Sequence, residues 1–189
     1  TFKAAEEHLD RLDQMGIDII WFMPIHPISE KNRKGKLGSP YAVTDYTKVH
    51  SSYGTLDDFK SFVQTAHKKD IHVIIDWVPN HTGWDHQWLE THPEWYTRDS
   101  AGNVIHPEGT DWTDVADLNY GKQAMRNAMT DEMKFWLEEA DIDGFRCDVA
   151  HSVPVDFWDS TVAELRKVKP IFMLAEAEIP ELHEAGFDM

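Results

Sequence analysis

The sequence has one cysteine, no long apolar run and few basic residues, and each shortage excludes a class of protein. Cys147 alone cannot form an internal disulfide or a multi-cysteine zinc site. No apolar stretch approaches the ~18 residues that a membrane-spanning helix needs. Lys and Arg number 18 against 34 Asp and Glu, giving a net charge of −16. This charge argues against nucleic acid or an anionic membrane as a partner.

What the chain does contain is a helix pattern followed by a strand pattern, repeated four times. Apolar residues at helical spacing predict helices near residues 2–12, 59–66, 125–140 and 157–168. Short apolar runs predict strands at 17–25, 71–78, 142–149 and 171–175. Such repeats form parallel sheets, either open and doubly wound or closed into a (β/α)8 barrel. No GxGxxG turn or P-loop marks the ligand site of an open sheet.

Residues 82–120 do not continue this alternation of helix and strand patterns. They hold no long periodic stripe, but they contain four of the eight tryptophans and a hairpin-like stretch around residues 95–105. Because a structureless loop of this length is rare in a compact domain, we predict a small inserted subdomain. Its tryptophans either form the core of that subdomain or stack on a ligand.

Acidic side chains stand at the carboxyl ends of three successive predicted strands: Asp76, Asp148 and Glu176. Ligands of parallel α/β folds bind at this edge. Arg146 lies two residues before Asp148, on the same face of the strand, so we expect it to keep Asp148 ionised. Glu176 has no evident cation nearby and is expected to hold a proton. One ionised and one protonated acid suit glycoside hydrolysis. A phosphate-accepting aspartate with Mg²⁺ stays open as an alternative.

Five segments resemble blocks of the α-amylase superfamily, glycoside hydrolase family 13, and they occur in the order of that family. The segments are SPYAVTDY (39–46), DWVPNH (76–81), VADLN (115–119), GFRCDVAH (144–151) and MLAEAE (173–178). The resemblance implies an α/β fold, a partial (β/α)8 TIM barrel of about strands 2–5. It also implies a small subdomain inserted after the third barrel strand.

The resemblance divides the chain into three parts. Residues 1–81 and 121–189 are expected to be barrel units, and residues 82–120 the inserted segment, similar to domain B of the family. A closed barrel takes eight strands and about 250 residues. We therefore expect further chain to complete the barrel and to supply the third catalytic aspartate of the family.

The resemblance also assigns chemical roles. Asp148 matches the catalytic nucleophile, Arg146 the arginine that positions it, and Glu176 the general acid/base, with Glu178 as a rival for that last role. These assignments imply a covalent glycosyl-enzyme, net retention, and two carboxyl groups ~5–5.5 Å apart.

Four further residues match substrate-binding positions. Tyr41 matches an aromatic residue that stacks on the sugar, and His81 a histidine that hydrogen-bonds it. Asp76 matches an acid that supports the site by hydrogen bonding. His151 stands where many members carry a lysine that contacts sugar, and Ser152 replaces the histidine that usually follows.

Asn80 and Asp117 match positions that bind a structural Ca²⁺ in some members. Taken together, the resemblance implies a hydrolase of α-1,4 bonds in starch or related α-glucans, most similar to bacterial amylases. A secreted, periplasmic or cell-surface location is favoured over a cytoplasmic one. The alternatives are a transglycosylase, an α-glucosidase, a debranching enzyme, an isomerase or a non-catalytic relative.

Overall fold

A computed structural model describes residues 1–189, and its centre is a four-stranded parallel sheet. The strands are β1 (Ile19–Phe22), β2 (His72–Trp77), β5 (Gly144–Cys147) and β6 (Phe172–Ala175). They lie in the order β1-β2-β5-β6, and every neighbouring pair is parallel. The four predicted strands are therefore present, within shorter bounds. This sheet is part of a TIM barrel, as predicted.

Helices cover one face of the sheet and end where the sequence signals an end. They are α1 (Phe2–Glu6), α2 (Leu9–Gln14), α3 (Leu56–His67), α5 (Gln123–Ala140), α6 (Val155–Val168) and α7 (Glu181–Glu184). Thr55 and Asp58 form a reciprocal capping box at the start of α3. The single helix predicted over residues 2–12 is two helices, because the N–H of His8 bonds the Ala5 carbonyl three residues back.

Aromatic side chains fill the core between the sheet and these helices. Phe59 and Phe62 of α3, Trp136 of α5 and Phe157 of α6 are almost entirely buried. Trp136 packs edge-to-face against Phe59, with ring centroids 5.7 Å apart. These residues are the apolar stripes that the helical spacing predicts. No helix is both long enough and apolar enough to cross a bilayer.

The segment after β2 forms its own small structure. Strands β3 (His81–Gly83) and β4 (Val115–Asp117) form an antiparallel pair that is separate from the large sheet. Between them lie the short helix α4 (Trp88–Thr91) and a 3₁₀ turn. The predicted hairpin is present as an Arg98–Val104 bridge. The boundaries of this subdomain at residues 82 and 120 stay a prediction.

Asp143 ties the amino-terminal ends of the strands together at the edge opposite the acids. Its Oδ2 accepts hydrogen bonds from the His67 Nε2 (2.7 Å) and the Val73 N–H (2.8 Å), and Lys169 lies 3.5 Å from its Oδ1. Burial opposes ionisation, but these donors and the Lys169 charge hold the pKa of Asp143 below its usual value.

Replacing Asp143 with Asn should therefore destabilise the fold by about 1–3 kcal/mol at pH 7. The pKa of Asp143 is lower in the folded chain than in the unfolded one. Its contribution is thus complete above about pH 4 and is lost as the pH falls through the folded-state pKa. Urea unfolding of both proteins at pH 7 and pH 3 should show the difference shrinking at pH 3. Asp10→Asn, at an exposed ion pair with Lys69, is the control and should change little.

Candidate active site

The carboxyl ends of β2, β5 and β6 bring the predicted acids together at one edge of the sheet. Asp76 pairs in register with Arg146 across β2 and β5. Two backbone hydrogen bonds extend the ladder past the strand ends, from the Asp148 N–H to the Trp77 carbonyl and from the Glu176 N–H to the Cys147 carbonyl (2.8 and 3.0 Å). Asp148 and Glu176 are thus fixed side by side by the backbone.

One guanidinium connects the three acids. The Nη1 of Arg146 donates to both carboxylate oxygens of Asp76 (3.0 and 3.1 Å) and to the Oδ1 of Asp148 (3.1 Å). Its Nη2 lies 2.8 Å from the Oε1 of Glu176. Arg146 is 8% exposed, so these contacts are shielded from water. Arginine suits this task because its planar fork offers five N–H donors in fixed directions.

One positive charge faces three buried or half-buried carboxylates, so the pKa values of these acids are shifted. Burial raises the pKa of Asp148 to about 7, helped by the charges of Asp76 and Glu176 and opposed by Arg146. Glu176 is more exposed; burial opposes its ionisation, but the Val149 N–H, the Arg146 charge and a hydrogen bond with Asp148 lower its pKa. The pKa of Asp148 is therefore shifted upward and that of Glu176 downward.

These directions are opposite to the prediction that Arg146 lowers the pKa of Asp148 and keeps it ionised while Glu176 holds a proton. The prediction was wrong because it assumed that Arg146 serves only Asp148, whereas Arg146 also contacts Glu176. The separation of the two carboxyl groups stays a prediction.

Asp76 is fully buried beneath this pair. Burial raises its pKa to about 6, against the opposing effect of Arg146 and of hydrogen bonds from the Trp21 indole (Nε1 to Oδ2, 3.2 Å) and the Tyr41 hydroxyl (3.4 Å). Burial and the charge of Asp76 in turn raise the pKa of Tyr41 to about 12. The Trp21 contact has no counterpart in the sequence motifs. Only its place in β1, paired in register with Ile74 of β2, could have indicated it.

Val149, directly after Asp148, has a strained backbone. Its φ of 38° is in the left-handed region, which costs a β-branched residue of order 1–3 kcal/mol. This conformation aims its N–H at the Oε2 of Glu176, 2.9 Å away. His151 is exposed, and its Nδ1 lies 3.3 Å from the Glu176 carbonyl oxygen. The backbone after β5 therefore holds Glu176 from a second side.

His81 is buried at the start of β3. Burial lowers its pKa to about 4, so the imidazole is neutral at pH 7. The hydroxyl of Tyr46 donates to the carbonyls of Val78 (2.7 Å) and His81 (3.1 Å), which fixes the bend that carries the histidine. Tyr46 belongs to one of the recognised segments, but the sequence assigned it no role.

The residues predicted to bind Ca²⁺, Asn80 and Asp117, lie beside each other at the ends of β3 and β4. The Asn80 amide contacts the Nδ1 of His81 at 3.2 Å, and the Asp117 backbone carbonyl accepts from the Thr97 N–H at 3.0 Å. Burial raises the pKa of the Asp117 carboxyl. Ca²⁺ takes six to eight oxygen ligands. No group of three or more His, Cys, Asp or Glu side chains here could hold a metal. Two residues do not make a calcium shell, so calcium stays a prediction and no chemical step is assigned to it.

These side chains line a cleft of about 450 Å³, called the acid cleft below. The residues that line it include Asp148, Glu176, Tyr41, His81 and Trp112. The ring of Trp112 packs edge-to-face against His81, with centroids 5.6 Å apart.

The other tryptophans of the inserted segment do not line the acid cleft. Trp88 and Trp95 are buried, and Trp84 donates to the Thr113 carbonyl (3.0 Å). Core packing thus accounts for these three, and Trp112 alone is placed to stack on a ligand.

The rim of the cleft is built jointly by the inserted segment and by residues 29–38, called the 29–38 loop below. At the base of the loop, the Oδ2 of Asp85 accepts from the Ser29 hydroxyl (3.1 Å) and from the N–H groups of Glu30 (2.7 Å) and Lys31 (2.9 Å). These three donors hold the pKa of Asp85 below its usual value although burial opposes this.

Lys34, near the tip of the 29–38 loop, reaches across to the inserted segment. Its Nζ donates to the Asp111 carbonyl and lies 3.7 Å from the Oδ1 of Asp114. Lys34 is the one cation that lines the acid cleft, and aspartates already neutralise it. None of the recognised sequence segments includes Lys34.

Comparison with known proteins identifies the family. A model of the alpha amylase catalytic domain matches residues 2–185. An alpha-1,4-glucan:maltose-1-phosphate maltosyltransferase from Arcanobacterium haemolyticum is 32% identical over 94% of this chain, which covers 28% of that relative.

Two solved structures are more similar in sequence. A noncanonic maltogenic alpha-amylase from Thermotoga neapolitana superposes with a TM-score of 0.92 at 43% identity, covering 99% of this chain and 43% of that one. An alpha-amylase from Lactobacillus plantarum gives a TM-score of 0.89 at 40% identity, with coverages of 99% and 45%. The chain thus spans less than half of the proteins it resembles, and it belongs to the alpha amylase catalytic domain family.

Proposed function

We propose that this chain supplies the nucleophile and the acid/base of a retaining glycoside hydrolase that cleaves α-1,4 bonds of α-glucans. The observation that carries the proposal is the Asp148–Glu176 pair, which lines the acid cleft and is held by one arginine. Further chain completes the barrel, which agrees with the share of the related structures that this chain covers.

The reaction requires Glu176 to give a proton to the glycosidic oxygen while Asp148 attacks the anomeric carbon as a carboxylate. In the free protein the pKa of Glu176 is lowered and that of Asp148 is raised. A glucan that covers the exposed Glu176 removes it from water and raises its pKa, so that Glu176 can hold the proton. Arg146 holds the carboxylate of Asp148 for the attack. Water activated by Glu176 later releases the sugar.

Transfer to a sugar acceptor is the second candidate, because curated relatives are named maltosyltransferases. Both reactions share the covalent step and differ in what accepts the sugar. The charge of the cleft favours a neutral glucan over a phosphorylated donor, because Lys34 is already engaged by Asp111 and Asp114. Maltose 1-phosphate, offered with a glucan acceptor, should therefore be a poor donor.

Proton NMR during hydrolysis of maltooligosaccharides by the complete gene product tests the proposal. The α-anomer should appear first and convert to the equilibrium mixture by mutarotation. A fluorinated glucosyl fluoride should add one sugar mass to the peptide that carries Asp148. Initial release of the β-anomer, or labelling of a different residue, would contradict the assignment. Asp159→Asn, at an exposed position of α6, is the control and should behave as the parent protein.

A further inference from the structure

Trp21 touches the acid network from a strand that no recognised motif covers. Its Nε1 donates to the Oδ2 of Asp76 at 3.2 Å, and the Cζ of Arg146 lies 5.1 Å from the centre of its ring. One side chain of β1 thus contacts both the buried acid beneath the reacting pair and the arginine that holds that pair.

Asp76 depends on few donors. It is fully buried, and its partners are Arg146, the Tyr41 hydroxyl at 3.4 Å and the Trp21 indole. A buried carboxylate that loses one of so few donors becomes markedly less stable in its ionised form. The Trp21 bond is therefore more than a packing contact.

We propose that Trp21 is a positioning residue for the acid cleft, acting on Asp148 and Glu176 through Asp76 and Arg146. This inference rests on the proposed function. The indole N–H keeps Asp76 ionised and oriented, and Asp76 in turn holds one side of the guanidinium. The face of the ring limits where the guanidinium can move, an attraction that is strongest for tryptophan.

Loss of the Trp21 hydrogen bond should change the ionisation of Asp76 and, through it, of the charged groups nearby. From β5 and the residue after it, Arg146 and Asp148 face Asp76, and from the loop before α3 Tyr41 does so. The Cys147 thiol, on the other face of β5, feels the charge of Asp76 without facing it. Glu176 is connected through Arg146. Arg146 is the one cation among them. A protonated Asp76 would leave Arg146 free to shift toward the other two acids and would disturb the geometry of both.

Trp21→Phe in the complete gene product tests the inference, because it keeps a ring beneath Arg146 and removes the N–H. We expect kcat on maltooligosaccharides to fall about tenfold, the scale of a hydrogen bond to a charged group, with KM within about twofold. The acidic limb of kcat/KM against pH should move to higher pH, because the pKa of Asp76 rises.

A double-mutant cycle with Asp76→Asn separates positioning from packing. In the Asp76→Asn background, Trp21→Phe should change kcat by less than about twofold, since no carboxylate remains to be held. Trp21→Leu, which has neither an N–H nor an O–H donor, repeats the cycle if the Phe variant folds poorly.

Trp158→Phe is the matched control. Its indole donates to the Ala150 carbonyl (3.0 Å) inside the core, so its loss should lower Tm and leave the acidic limb in place. The inference is overturned if Trp21→Phe or Trp21→Leu folds with an unmoved limb, or if the effects at Trp21 and Asp76 are additive. Inversion by the unsubstituted protein would instead refute the proposed function.

Discussion

Replacing Arg146 with Met should lower kcat/KM by about a thousandfold or more and should also destabilise the fold. The substitution removes the one cation that contacts Asp76, Asp148 and Glu176 and leaves three carboxylates facing each other. Breaking a buried ion pair by removing one partner costs about 3–5 kcal/mol. Without the guanidinium, the reacting oxygens are no longer held in place, and small misplacements reduce rates steeply.

The Arg146→Met effect should depend on pH. The loss of the positive charge raises the pKa of all three acids, and their protonation at low pH relieves the repulsion. The stability difference from the parent protein, measured by urea unfolding, should therefore be smaller at pH 5 than at pH 8. Arg146→Lys keeps the charge but not the fork, and should lose most of the activity too.

Arg126 offers a matched control. Arg126 on α5 forms an ion pair with the exposed Asp156 on α6, and neither residue lines the acid cleft. Arg126→Met should leave kcat/KM within about twofold of the parent value. A fully active Arg146→Met variant, or equal losses in both variants, would show that one guanidinium does not organise the acids.

Replacing Asp148 with Asn should lower kcat by about 10⁴-fold or more, because an amide cannot form the covalent intermediate. The amide oxygen can still accept a hydrogen bond from Arg146, so the fold should survive. Single-turnover measurements with an activated aryl glycoside would locate the loss in the step that forms the intermediate. Substantial remaining activity would remove Asp148 from the role of nucleophile.

The same Asp148→Asn variant should gain stability relative to the parent as the pH rises. The pKa of Asp148 is about 7 in the folded chain, above its value in the unfolded chain. The unfolded chain therefore releases this proton first, and the parent loses stability between about pH 4 and pH 7. The variant lacks this loss, so it should be more stable at pH 8 by on the order of 2 kcal/mol. Unfolding curves at pH 5 and pH 8 measure the difference.

The sequence was informative wherever backbone periodicity decides position. The acids meet because residues that end adjacent parallel strands must share an edge, and Arg146 lies beside Asp148 because residues two apart on a strand share a face. The buried helix stripes follow from spacing in the same way.

The sequence did not indicate which partners a long side chain contacts when several are within its reach. Arg146 reaches Glu176 after the neighbouring strand, and this contact helps to lower the pKa of Glu176, while burial raises the pKa of Asp148. The Trp21–Asp76 bond likewise joins residues far apart in sequence. Trp112 lines the acid cleft, whereas the other tryptophans of the inserted segment do not. Residue spacing in an irregular segment does not determine which tryptophan is exposed to the cleft.

The contacts of Asp85 and Lys34 have a consequence for exchanging parts between family members. The inserted segment binds the 29–38 loop at two places. Asp85 of the segment accepts hydrogen bonds from the base of the loop, and Lys34 near the loop tip donates to the segment. A chimera that takes the segment from one parent and the loop from another breaks both sets of contacts at once. These two stretches are distant in sequence but act as one structural unit. Chimeras of family members should therefore fold when both stretches come from the same parent protein.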